Sequence, residues 1–234
     1  MGKFLDLFLE GRINSSDGDE LRNALESTIE EEKRCLELFK IQIEECNSQL
    51  TKIEQKIEEG WHTHKVMQMR RAYEEYKYIL NIAAQFELCS HETKGIQKVL
   101  YFETNENSKE RIAVSAIVMM YEWCEDLYQL TGKQYQDIAK KMLSPGDLVK
   151  TRVARKKLGD FYEENKPVLS KVRHNVGAHR DHDFLNHMKI LEEVGWSETI
   201  ELVHVFEEVS LELGRSIKPL MDAGLKQIGE AVKS

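Results

Sequence analysis

Between residues 19 and 59 the apolar side chains Leu25, Ile29, Leu36, Phe39, Ile43, Cys46, Leu50, Ile53 and Ile57 recur at alternating steps of three and four, once Glu32 is counted as a polar occupant of the same series. Those steps keep one narrow stripe on a single side of an α-helix for about eleven turns. A strand cannot use them, because its side chains change face at every residue. A stripe of this kind is a seam that lies lengthwise on another helix. Gly60 stands where a helix C-cap belongs. Beyond it, residues 62–90 carry Met67, Met69, Tyr73, Tyr76, Tyr78, Ile79, Ile82, Ala83 and Phe86 as the apolar content of a second helix. A short link between two long helices makes an antiparallel hairpin. Core packing is the expected role of the seam, with an intermolecular coiled coil as the alternative.

The remaining chain reads as further helices. Residues 90–110 form a polar stretch with one short apolar run, Val99 to Phe102, and a soft boundary is placed there, giving an N-terminal hairpin over 1–100 and a helical bundle over 101–234. Residues 108–130 are densely apolar and read as the central, most buried helix. A short helix follows at 133–142, and Ser144-Pro145-Gly146 reads as a turn. A helix is expected at 147–163, and a new one after Asn165 and Pro167 that runs into residues 172–175 and is weakened at Gly177. Asp183 is expected to cap a short helix ending near Gly195. Ser197 is expected to cap a final helix over 198–231, kinked at Pro219. Only 3 prolines and 13 glycines occur in 234 residues, and no alternating strand pattern appears. The predicted fold is all-α, a helical bundle with a long N-terminal antiparallel hairpin.

Several classes are excluded on composition. The longest apolar run, Ile112 to Met120, is broken by Ser115 and is too short to span a bilayer. Residues 1–12 carry Asp6 and Glu10 without a small-residue cleavage site and are read as neither signal peptide nor anchor. Cys35, Cys46, Cys89 and Cys124 have no paired spacing, so free thiols in a reducing, cytoplasmic compartment are expected rather than a zinc site.

Charge is unevenly distributed. The net charge is −8, yet residues 150–180 hold nine basic side chains against three acidic ones. Lys150, Arg152, Arg155, Lys156, Lys157, Lys171 and Arg180 are the candidate RNA-binding cations of this strip. A basic strip on an acidic protein offers polyanions a site without making the whole surface adhesive. A solvated helix face is the plainer reading.

The strip runs into the segment RHNVGAHRDHD at residues 173–183, and four of the eight histidines fall within residues 174–187. Neutral imidazole removes a proton from a hydroxyl near neutral pH, and its protonated form delivers one. A guanidinium grips phosphate oxygens in pairs. An amide such as Asn175 orients those oxygens. These are the parts for cleaving RNA through its own 2′-hydroxyl with no metal or other cofactor. His179, His182 and His187 with Asp181 or Asp183 also suit a metal-dependent phosphohydrolase.

Arg173-x5-His179, followed by Arg180-Asp181, resembles the R-x(4–6)-H signature of the HEPN superfamily, in its abortive-infection or toxin-type form. The resemblance implies an all-α bundle acting as a metal-independent endoribonuclease in phage defence or a toxin–antitoxin system. It assigns Arg173 to the phosphate and His179 to acid–base work. The polar position after the arginine is His174 here, so His174 or Asn175 supplies the polar contact. The resemblance also implies a homodimer with two motifs facing one cleft, RNA as substrate, and an antitoxin or other regulatory protein as partner. Six residues of straight helix rotate by about 600° and leave Arg173 and His179 about 120° apart, so a bend at Gly177 or pairing across a dimer is required. Glu122, Glu125 and Asp126 are acids able to serve the site, although nothing in the sequence aligns them with Arg173. The alternative from another class is a non-catalytic helical interaction module, working through the hairpin and carrying a relic motif.

Overall fold

A computed structural model describes residue 8, residues 15–178, residues 189–190 and residues 193–233. Among the described residues there is no strand. Helix α1 spans Ser15–Glu58, α2 His64–Phe102, α3 Glu106–Leu130, α4 Lys133–Met142 and α5 Pro145–Val172. A π-helical turn, Arg173–Ala178, continues α5, and α6 (Trp196–Arg215) and α7 (Lys218–Lys233) follow. No helix among the described residues is long and apolar enough to cross a membrane.

The α1–α2 hairpin forms for the reasons its sequence suggests. Gly60 takes φ 93°, a left-handed conformation that glycine adopts without Cβ strain. Its N–H bonds to the Ile57 carbonyl at 3.0 Å and that of Trp61 to Lys56 at 2.9 Å, which closes the last carbonyls of α1. Thr63 then caps α2 by accepting the Val66 N–H at 3.3 Å. The seam packs on α2 of the same chain: Leu25, Cys46 and Ile53 are buried, and the seam residues between and around them are half-buried.

Helix α2 departs from the sequence reading in length and in rank. It does not stop near residue 90 but continues through the polar stretch to Phe102, with Ser90, Thr93, Lys94, Gln97, Leu100 and Tyr101 all buried. It packs on α1, α3, α6 and α7, so α2 rather than α3 is the common neighbour of the bundle. Its polar residues are buried because distant helices bring them partners. The Ser90 hydroxyl donates to Glu32 Oε1 at 2.6 Å, which explains the polar residue in the α1 seam. Lys94 Nζ pairs with Glu207 Oε1, and Gln97 Nε2 donates to Glu207 Oε2 at 2.6 Å. His204 meets the Tyr101 hydroxyl through Nε2 and the Gln97 amide through Nδ1, and burial holds its imidazole below the ordinary histidine range against the opposing pull of Glu207. His204 on α6 thus has a partner at each ring nitrogen. Buried residues on both sides of residue 100, among them Ile79, Leu100, Met120, Leu158 and Phe206, belong to one cluster.

Proline placement differs from expectation at three points. Pro145 does not sit in a free turn: Ser144 caps α5 by accepting the Asp147 N–H at 3.2 Å, and Pro145 fills the first helical position, where no N–H is needed. Pro167 does not start a helix; α5 runs through it, because Leu158 and Phe161 before it and Leu169 and Val172 after it are buried on one face. Pro219 does not kink a single helix. The chain breaks at Ser216–Ile217, and Pro219 lies in the first turn of α7. Ser197 does not cap α6 either, since Gly195 occupies that position and the Ser197 hydroxyl donates to Glu198.

Two predictions follow from this packing. A Cβ added at Gly224 of α7 would lie 2.8 Å from the buried ring of Tyr76, whereas one at Gly229 meets nothing within 4 Å. Gly224→Ala is expected to destabilise the fold by about 1–3 kcal/mol through overpacking. Gly229→Ala is expected to stabilise it by about 0.5–1 kcal/mol through helix propensity. Urea unfolding midpoints of the two variants check the opposite signs. Burial also raises the Glu32 carboxyl above its ordinary value, against the Ser90 hydrogen bond and the Lys94 and His91 charges. A carboxyl raised on folding holds its proton more tightly in the native state, so stability falls as pH rises through that raised range. Glu32→Gln keeps an acceptor for Ser90 and removes the charge. It is expected to be more stable than the wild type at pH 7, by on the order of 1 kcal/mol, with the gap closing near pH 3. Unfolding curves at the two pH values decide it.

Candidate functional site

The basic strip changes character once folded. Lys150 pairs with Asp147 at 3.2 Å, Lys156 with Asp160 at 2.6 Å, Lys157 with Glu212 at 2.7 Å and Lys166 with Glu163 at 3.7 Å. Lys171 pairs with Glu193, and Arg173 Nε lies 2.9 Å from Glu122 Oε1. Asp147, Glu212, Glu193 and Glu122 all come from outside residues 150–180, so the sequence count overstates the field that the strip projects. Arg152 and Arg155 are the exceptions. Neither has a carboxylate within 4 Å among the described residues. Arg155 Nε donates to Thr131 Oγ1 at 3.3 Å, its Nη2 donates to the Tyr128 carbonyl at 3.4 Å, and its guanidinium sits 3.8 Å from the centre of the Tyr128 ring. All three are neutral groups, so Arg155 is oriented without being neutralised.

The arginine of the motif sits where α5 changes winding. Residues 173–178 form i to i+5 turns, a local widening of the helix that often accompanies functional positions. Arg173 is half-buried and faces α3. Its Nε makes no hydrogen bond, so the 2.9 Å approach to Glu122 is a charge contact and not a directed bond. The exposed His174 ring meets Tyr121 edge-on, with centres 5.9 Å apart. Asn175 Nδ2 donates to the Lys171 carbonyl at 2.7 Å. The structure therefore brings Arg173 and His174 together against Glu122 and Tyr121, an alignment the sequence does not reveal. His179, the expected acid–base residue, lies outside the described residues, as do Arg180, Asp181, His182, Asp183 and His187.

Next to this contact lies an acid–tyrosine cluster. The hydroxyls of Tyr121 and Tyr162 both donate to Glu125 Oε1, each at 3.0 Å, and their rings meet edge-on 5.9 Å apart. Burial, followed by the bonds to Tyr121 and to the Glu125 carboxylate, raises the Tyr162 hydroxyl above the ordinary phenol range. Tyr162 therefore stays protonated and serves as a donor. Sequence reasoning missed both tyrosines. The readable signal was Tyr121 four residues before Glu125, neighbours on one helix face. Asp126 does not join the cluster and lines a separate cavity with Glu122 and Glu92.

A cleft of about 610 Å³ opens between α3 and α5 on the far side of Glu125 and Tyr162, with Arg152, Arg155 and Tyr128 in its wall. A volume of that size suits a small ligand or a segment of a larger one. Arg155 and Arg173 stand 18 residues apart along α5, about 27 Å of helix, with the tyrosine cluster between them. Cys124 also lines the cleft, but burial pushes its thiol up to about 12, which leaves it a poor nucleophile. All four cysteines are free, Cys35 half-buried and the other three buried. Among the described residues no three His, Cys, Asp or Glu side chains gather as metal ligands.

No family model, no curated protein and no solved structure matches this chain.

Proposed function

We propose that the protein is a metal-independent endoribonuclease of the HEPN-like kind, with Arg173 on the phosphate and His179 in acid–base work. The observation that carries the reading is the setting of Arg173. It stands at a π-helical widening of α5, half-buried, with a guanidinium that makes a charge contact to Glu122 but no hydrogen bond through Nε. With Nε turned inward toward Glu122, the outer nitrogens of the fork are the groups that would engage phosphate oxygens. In the proposed reaction the 2′-hydroxyl of a nucleotide loses its proton to a base and attacks the adjacent phosphorus. The bond to the 5′-oxygen of the next nucleotide breaks, and that oxygen takes up a proton. The products are a 2′,3′-cyclic phosphate and a 5′-hydroxyl, so no external reactant is consumed. Arg173 stabilises charge on the phosphate oxygens as it builds. His174 and Asn175 are the candidate polar contacts beside it. A homodimer, a cytoplasmic location and control by an antitoxin or other regulatory protein in a defence setting accompany this reading.

One observation favours the other class. Leu38 and Ile41 of α1 are exposed one turn apart, 58% and 59%, on a helix whose seam is already satisfied by α2. In a helical interaction module such a pair would be part of the working surface.

Cleavage of single-stranded RNA with and without EDTA separates the readings. The ribonuclease reading predicts cleavage that survives chelation and falls by about 10²–10⁴ in His179→Ala. It also predicts a rate that changes by about tenfold or more between pH 5 and 8, as an imidazole titrates. Cleavage lost on chelation, a His179→Ala rate equal to wild type, or a flat pH profile contradicts it.

A further inference from the structure

We infer that the cleft between α3 and α5 holds one phosphate of a nucleotide through Arg152 and Arg155, as an anchor separate from the Arg173 contact. The inference starts from how the cations of α5 are used. Six of the eight described basic side chains from Lys150 to Arg173 have a carboxylate partner, and the two that have none line the same cleft. They lie three residues apart and therefore share a face of the helix. Arg152 is exposed. Arg155 is fixed by a hydroxyl, a carbonyl and the Tyr128 ring, none of which cancels its charge. A guanidinium has five N–H donors, and the two hydrogen bonds of Arg155 leave others for a ligand. Holding it in advance lowers the ordering cost of binding.

Of the three acids in the cleft wall, Asp160 is engaged by Lys156 and Glu163 by Lys166. Glu125 keeps its charge, with Oε1 accepting both tyrosine hydroxyls, so one carboxylate faces two arginines that have no ion-pair partner. A planar fork suits the tetrahedral oxygens of a phosphate, which two arginines can grip in pairs. The rest of the wall suits a base. The Tyr128 ring is 46% exposed beneath Arg155, and Gln136 spends its amide N–H on the Thr131 carbonyl at 3.3 Å, leaving its oxygen as an acceptor. With the anchor about 27 Å of helix from Arg173, the anchored phosphate belongs to a different nucleotide from the one cut. The nucleotide identity of the ligand rests on the ribonuclease reading, whereas the anion site rests on the arginine pair alone.

The test is fluorescence anisotropy with a labelled single-stranded 2′-O-methyl oligoribonucleotide of about a dozen nucleotides, which lacks the nucleophile and cannot be cut. Arg152→Ala removes an exposed side chain without an ion-pair partner and is not expected to disturb folding. It is expected to weaken binding by about tenfold and to reduce the log–log salt slope by about one. Arg155→Lys, which keeps the charge and loses the fork, is expected to weaken binding several-fold. Lys157→Ala, whose cation is tied to Glu212, stays within about twofold of wild type. No wild-type binding of either the oligonucleotide or AMP, or binding that Arg152→Ala leaves equal to wild type, overturns the inference. A second arm uses AMP. Saturable AMP binding that Arg152→Ala weakens supports the site and identifies a free nucleotide as the source; oligonucleotide binding without AMP binding supports it and identifies a strand. Cleavage is scored separately on unmodified RNA. An Arg152-dependent binder that cuts nothing leaves the anchor standing while the enzyme reading falls. An enzyme whose binding ignores Arg152 does the reverse.

Discussion

The buried carboxylate of Glu207 is the interaction on which the bundle turns. It sits on α6, inside the protein, with Lys94 on one oxygen and Gln97 on the other, both from α2. A charge this deep is tolerable only when fully paired, so α2 and α6 meet in one register. Helix α6 then forms the floor beneath α3 and α5, with Phe206 against Phe161 at 5.7 Å between ring centres. The separation of α3 and α5, and hence the cleft between them, follows from where that floor is held. Glu32 lies one turn away, against the same face of α2, tying α1 to Ser90.

The same logic governs the surface. Helix α5 is strongly basic in sequence, but ion pairs quiet most of it, three with acids of α5 itself and three with acids of other segments, and each exposed pair contributes little to stability. What remains without a carboxylate partner is Arg152 and Arg155 in the cleft, while Arg173 is held against Glu122 at the π-helical turn. The tyrosines joined through Glu125 stand between the two positions. For a polyanion, a few oriented arginines discriminate better than a diffuse field of lysines.

Much of the architecture was legible because it is written in local periodicity. The α1 seam, the Gly60 cap and the 133–142 helix all follow from neighbours within a few residues. The end of α2 was not legible, because Lys94 and Gln97 look like surface residues until Glu207, more than a hundred residues away, is placed beside them. Pro167 misled for a related reason: burial of Leu158, Phe161, Leu169 and Val172 on one face outweighs the lost donor. In the candidate site, the sequence marked Arg173 and the basic strip but could not tell neutralised cations from free ones. That distinction depends on Glu122, Glu193 and Glu212, which tertiary packing brings in.

The Lys94–Glu207 pair is the contact that holds α2 against α6. Urea unfolding of Lys94→Met, Glu207→Leu and the double variant forms a cycle that isolates it. Removing either partner is expected to cost about 3–5 kcal/mol, while removing both costs far less than the two single losses added together, because no charge is left buried alone. Single variants within about 1 kcal/mol of wild type, or losses that simply add, would contradict the claim that this pair sets α2 against α6.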